Sequence, residues 1–294
     1  MELSIIIVSW NVKDRLRENL KALEKTKGDF LYEVIVVDNN SEDGTPEMVE
    51  KEFPHVLLVK NNANVGFAKA NNQALRQVES DFVLLLNPDM LPREDTLLNM
   101  LNWMKNNPQA SVAGCNLVNE QGETIKHVRC FPSISDQLAI VLKLPHIFKN
   151  ILKKYIREDF DYTKDAKVDS VRGGFFMINR LVISDLKKFL NCTLPLLDEG
   201  YFLWFEEVDY CQQIKKAGGE VWYTPAAKCV DYIGQSFKQV PRGQAQKYFR
   251  NSQLKYFKKW HPAWQYHALK TVWLLGIIIS KISEKFNIKS KAKT

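Results

Sequence analysis

Three acids within four residues, Glu206, Glu207 and Asp209, follow four aromatics, Tyr201, Phe202, Trp204 and Phe205. A carboxylate set against apolar rings loses hydration, its pKa climbs, and it becomes useful as a general base near neutral pH. Acids in the first turn of a helix also suit the helix dipole. That explains their charge but not the aromatic wall ahead of them. At helical spacing Glu206 and Asp209 share a face and Glu207 points elsewhere. Three further polar clusters each end an apolar run: Ser9-Trp10-Asn11, Asp38-Asn39-Asn40-Ser41 and Asn87-Pro88-Asp89. Any one of them suits a turn or a helix cap. Three in the same relation to three strands point to a ligand. Adjacent Gly173 and Gly174 let backbone approach that ligand closely.

Such groups need a scaffold. Residues 3–8, 33–37 and 81–86 are short, nearly continuous apolar runs, the pattern of strands buried on both faces. Between the first two, Leu16, Leu20 and Leu23 recur at helical spacing. Between the second and third, a helix near 46–53, a strand near 56–60 and a helix near 68–78 are predicted. The β-α-β-α order predicts an α/β fold, a doubly wound and mostly parallel sheet flanked by helices, with ligands at the carboxyl ends of the strands. Farther on, the pattern predicts a helix at 95–106, strands near 111–116 and 220–223, and a turn feeding a strand over 171–179. It also predicts helices near 184–189 and 205–217, the latter stopped by Gly218-Gly219. Residues 135–156 predict amphipathic helices broken near Pro145, either packed on the core or presenting a basic surface to a membrane or an acceptor.

The chain has 294 residues, 45% hydrophobic and 26% charged, which excludes a disordered chain or a multi-span membrane protein. Its five cysteines are odd in number and widely spaced, with no CxxC pair, so neither a disulfide framework nor a zinc site is expected. The first residues lack a basic segment and an apolar run long enough for a signal peptide. The net charge of +7 is unevenly spread. From Gln235 onward there are 13 Lys and Arg against one acid, Glu284, a net of +12, so the rest of the chain sums to −5.

The segments ending at Asn11, Thr45, Asn72, Asp89 and Cys211, in that order, resemble the family 2 glycosyltransferases, with the bacterial rhamnosyltransferase-like branch nearest. The resemblance covers about residues 3–260. It implies a GT-A fold and inverting transfer from a nucleotide-diphospho-sugar to a hydroxyl of a glycan or lipid-linked acceptor, in cell-surface polysaccharide synthesis. It implies that Asp38 contacts the nucleoside, with Ser9, Asn11 and Asn40 around the same pocket, and that Asn64, Gly66 and Asn71 lie near the donor. Asn87-Pro88-Asp89 matches the DxD-type motif, with Asp89 as ligand to Mg2+ or Mn2+. Glu207 aligns with the usual base, and Arg250 and Ser252 match a segment near the end of the catalytic domain. There are three departures. Glu206-Glu207 stands where the family has Glu-Asp, which leaves Glu206 and Asp209 as alternative bases. Asn87 replaces the first DxD acid. Asp231 stands where a His is frequent, and becomes a second candidate metal ligand.

These readings predict a catalytic domain over 1–234, its nucleotide-binding half about 1–115 and its acceptor-side half about 116–234. A basic, aromatic, helical extension follows over 235–294. Bases alternate with aromatics over 247–261, and the uncharged run 271–280 is too short to span a bilayer. Either that run docks on the body or it lies as an interfacial helix against anionic lipid, with the protein cytoplasmic and peripheral on the inner membrane face. No nucleic acid partner is expected. The competing class is a non-catalytic nucleotide-sugar or nucleic-acid binding protein. A nucleotidyltransferase is disfavoured because no glycine-rich basic loop follows the first strand.

Overall fold

The computed structural model describes residues 1–186, 196–232 and 240–276. The strands, in chain order, are β1 (Leu3–Ser9), β2 (Tyr32–Asp38), β3 (Leu57–Lys60), β4 (Phe82–Leu86), β5 (Met90–Pro92), β6 (Ala110–Val118), β7 (Ala166–Lys167), β8 (Phe175–Asn179) and β9 (Glu220–Asp231). The helices are α1 (Lys13–Glu24), α2 (Thr45–Glu52), α3 (Phe67–Leu75), α4 (Thr96–Asn106), α5 (Ile134–Val141), α6 (Arg180–Leu186), α7 (Glu206–Lys216) and α8 (Arg242–Trp260). Residues 263–276 are also helical.

One sheet runs β3-β2-β1-β4-β8-β6-β9-β5, with β7 paired to β9. Strand β1 lies parallel to both β2 and β4, and Ser9 stands level with Asp38, so the polar clusters leave the sheet side by side. Both faces of the sheet are covered, which is why the strands are apolar at consecutive positions. Ile5 and Ile7 pack with Leu16, Leu20 and Leu23 of α1. Ile6 and Val8 pack on the other face with Ala68 and Ala74 of α3, in a cluster that also holds Tyr210 and Ile214 of α7.

The parallel order predicted for the sheet is interrupted. Strand β8 is antiparallel to β4 and β6, and β5 and β7 are antiparallel to β9. Strand β9 also runs eight residues past its expected end at Tyr223, accommodated by register shifts against β6. The long amphipathic helices predicted over 135–156 are corrected too. A capping box between Ser133 and Asp136 starts α5, but Lys143 adopts φ +56°, one 3-10 turn follows at Leu144–His146, and turns continue to 159. Pro145 blocks continuation of the helix. The helix predicted near 184–189 begins instead at Arg180, and its predicted end and Cys192 lie outside the described residues.

A third core joins the C-terminal helices to this frame. Tyr201 and Phe205 pack with Tyr256 and Phe257 of α8 and with Leu269, and Leu138 and Val141 of α5 lie against the same cluster. The indole N–H of Trp273 donates to Gln253 at 2.7 Å, and Gln253 donates to Gln137 of α5 at 2.8 Å. The inner face of the helix over 263–276 is therefore docked on the body. Trp264, Leu274 and Leu275 on it stay exposed. Residues 277–280 of the run singled out above lie outside the described residues. Among the described residues no helix is long and apolar enough to cross a membrane.

Candidate functional site

The strand ends open onto a cavity of about 380 Å³. Its polar wall includes Asn39, Asn64, Asn87, Arg172, Glu206 and Glu207, with the glycines Gly66, Gly173 and Gly174 between them. Trp10, Phe202, Trp204 and Tyr248 supply aromatic surface. The rings of Phe202 and Tyr248 stack at 4.3 Å, so α8 contributes to the wall.

Each polar cluster is held by its own bonds. The Asp38 carboxylate is buried and accepts from the Ser41 amide at 2.9 Å through Oδ2, while Oδ1 has no hydrogen-bond partner among the described residues. Burial raises the pKa of Asp38. Asn11, with φ +52°, donates its amide to Ser41 Oγ at 2.9 Å and accepts from the Glu42 amide at 2.7 Å, which binds the first cluster to the second. Buried Asn19 of α1 donates to the carbonyls of Asn87 (3.3 Å) and Met90 (2.6 Å), and so fixes the turn that carries Asp89.

Gly66 leads into α3 with φ +88°, and a Cβ there would sit 2.7 Å from the Phe202 carbonyl. That carbonyl accepts from the Phe67 amide at 2.8 Å, so the close approach seats the aromatic segment on α3. Trp204 and Phe205 both have positive φ, 64° and 69°, a conformation that disfavours each by roughly 1–2 kcal/mol. The sharp turn this makes delivers Glu206 and Glu207 to the cavity at the first turn of α7.

The acids divide into two groups. Glu206 is buried, and desolvation, then the charge of Glu207, pushes its pKa well up. Desolvation also raises Glu207, opposed by the amides of Glu207 and Val208 and by the Arg172 guanidinium. Asp209 corrects the expectation that it faces the same way as Glu206. It is fully buried in the third core and accepts from Tyr201 Oη (3.1 Å), Gln213 Nε2 (2.8 Å), Lys259 Nζ (2.8 Å) and Trp260 Nε1 (2.6 Å). With both oxygens so engaged it anchors α8 to α7 and does not line the cavity.

Of the other expected site residues, Asn64, Gly66, Asn87, Gly173, Gly174, Glu206 and Glu207 line the cavity together. Ser9 and Asp38 end β1 and β2, and Asn11, Asn40 and Asp89 lie in the loops that follow β1, β2 and β4; none of the five lines the cavity. Asn71 is turned inward and donates to the Phe67 carbonyl within α3. Arg250 lies two residues beyond Tyr248 on α8 and does not line the cavity. Asp231 is buried beside the Asp89 turn, since Met90 pairs with Asp231 across β5 and β9. Its carboxylate forms an ion pair with Arg172 at 2.6 Å. Among the described residues no cluster of three metal-ligating side chains occurs. Arg172 itself was missed in the sequence; its one signal is a cation immediately before Gly173-Gly174.

The model of glycosyl transferase family 2 matches residues 4–186. The rhamnosyltransferase WbbL of Escherichia coli (strain K12) is 26% identical over 237 residues, 78% of this chain and 82% of that one. The uncharacterized glycosyltransferase YfnE of Bacillus subtilis (strain 168) is 28% identical over 74% of this chain, which spans 61% of YfnE. Among solved structures, the mannosyltransferase PcManGT of Pyrobaculum calidifontis, in complex with GDP-Man and Mn2+, superposes with TM-score 0.55 at 20% identity, over 94% of this chain and 70% of that one. GalNAc-T7 with UDP, GalNAc and Mn2+ superposes with TM-score 0.58 at 14% identity, over 86% of this chain and 48% of that one.

Proposed function

Since the chain belongs to glycosyl transferase family 2 and has the fold of GT-A glycosyltransferases, we propose that it transfers a hexose, rhamnose by the names of its relatives, from a nucleotide-diphospho-sugar with inversion. The observation that carries this reading is the pair Glu206-Glu207 facing Arg172 in one cavity at the strand ends. Desolvation raises both carboxyls, and the Arg172 guanidinium favours the charged form of Glu207, so Glu207 is assigned as the carboxylate that takes the proton. The acceptor hydroxyl gives its proton to Glu207 as its oxygen attacks the anomeric carbon. The bond to the diphosphate breaks on the opposite face, and the electron pair leaves with the phosphate. Arg172, oriented by Asp231, presents a cation to that developing charge.

The nucleoside is assigned to the Asp38 side, where the buried Oδ1 has no hydrogen-bond partner among the described residues. The oxygen donors at the Asn87–Asp89 turn suit a hard divalent cation, Mg2+ or Mn2+, which requires only one or two carboxylates besides phosphate. Asp89 would hold it, and such a cation supplies charge neutralisation to the leaving diphosphate. Asp231 serves Arg172 instead. The acceptor is a glycan or a lipid-linked sugar, in keeping with a relative named N-acetylglucosaminyl-diphospho-decaprenol L-rhamnosyltransferase. The basic C-terminal residues contact the anionic inner face of a membrane.

Glu207→Gln tests the reading with nucleotide-diphospho-sugars, Mn2+ and NMR assignment of the product anomer. The expected result is an inverted product from the parent, a fall in kcat of about 10²–10⁴ in the variant, and retained donor affinity. A variant as fast as the parent, or a retained anomer, overturns it.

A further inference from the structure

The segment that failed to form long helices carries an unusual surface. Leu142, Ile147, Phe148 and Ile151 are exposed by 53%, 73%, 58% and 42%. Lys143, Lys149, Lys153 and Lys154 lie among them, and no acid occurs from 142 to 154. Both ends of this projection are fixed. At the start, α5 is pinned by its capping box and by the Gln253–Gln137 bond. At the end, the Cys130 amide donates to the Tyr155 carbonyl at 2.9 Å, and Lys126 donates to the Glu158 carbonyl at 2.9 Å.

We propose that residues 142–154 are a wedge that enters the surface of an anionic phospholipid bilayer. An ordered projection that holds four apolar side chains in water marks an interaction surface. The interleaved lysines choose the partner. Ile147 and Phe148 suit the acyl boundary, while the lysines, of which Lys153 also reaches Asp159 at 3.3 Å, suit headgroup phosphates above it. A second copy of this chain is a poor occupant, because a symmetric contact would set lysines against lysines. The wedge adjoins the third core through α5, and the helix over 263–276, with its exposed Trp264, Leu274 and Leu275, rests on that core as well. The proposal rests on the membrane-contact reading above for its partner, and differs from it in the segment that enters the lipid.

The test uses the full chain with phosphatidylcholine vesicles, with and without phosphatidylglycerol. The double variant Ile147→Ser/Phe148→Ser, altered only at exposed positions, is expected to keep its Tm and donor turnover and to lose roughly tenfold in partition to the anionic vesicles. Phe148→Trp, compared with the parent and its seven tryptophans, is expected to add an emission component quenched by brominated acyl chains. If the parent partitions but the double variant partitions equally, or Phe148→Trp adds no quenched component, the wedge is overturned and the tail remains the contact. If the parent does not partition at all, the tail reading fails with it.

Discussion

Glu206 and Glu207 sit side by side at the first turn of α7, and desolvation raises the pKa of both carboxyls. Linkage gives the sign of the effect on stability. A carboxyl whose folded pKa is raised binds its proton more tightly folded than unfolded, so stability falls as pH climbs from the ordinary carboxylate range through the raised value. Glu206→Gln removes this loss. The variant is expected to melt higher than the parent at neutral pH, and the gap is expected to close as pH drops below the ordinary carboxylate range, as followed by calorimetry across pH. A constant gap would leave burial of the Glu206 charge without a part in the effect. The sequence already showed that these acids sit against rings, because the aromatics are their neighbours in the chain. It could not show which faced a cavity. Helical spacing grouped Glu206 with Asp209, but a turn through Trp204 and Phe205 sends Glu206 and Glu207 one way and Asp209 the other. Arg172 was hidden for another reason: its partner, Asp231, is far away in the chain and meets it only after β8 and β9 enter the sheet.

At the level of elements, the parallel half was legible because β1, β2 and β4 are covered on both faces and must be apolar throughout. Strand β8 was legible but not its direction, since an apolar run carries no arrow, and β5 and β7, of three and two residues, were too short to be read as strands at all. The join between α3 and the aromatic segment makes a prediction of its own. Gly66→Ala places a methyl group against the Phe202 carbonyl at a positive φ. It is expected to destabilise by about 2–4 kcal/mol in urea unfolding. Donor affinity is expected to fall too, because Asn64 and Phe202 belong to the same wall. An alanine variant of parental stability would mean that the segment can shift without consequence.

Across the whole molecule, charge divides the chain where packing does not. The composition marked off a basic end, and that end contributes Tyr256, Phe257, Leu269 and Trp273 to the buried interior. Ending the chain after residue 265 removes Leu269 and Trp273, and is expected to reduce stability by roughly 5 kcal/mol or more, or to leave the product insoluble. Chemical denaturation of purified protein measures this. Loss of vesicle binding by such a fragment would therefore say nothing about lipid, and point substitutions in the full chain are the informative route. The bonds to Asp209 reach further still. Lys259 and Trp260 neutralise and cap a carboxylate that sits one helical turn from Glu206, so a chimera that borrowed only the first 234 residues would keep the bonds from Tyr201 and Gln213 but lose the cation that balances this anion. Whatever sugar this enzyme moves, recombination cannot lift its front half out as a cassette; acids and C-terminal helices must travel together.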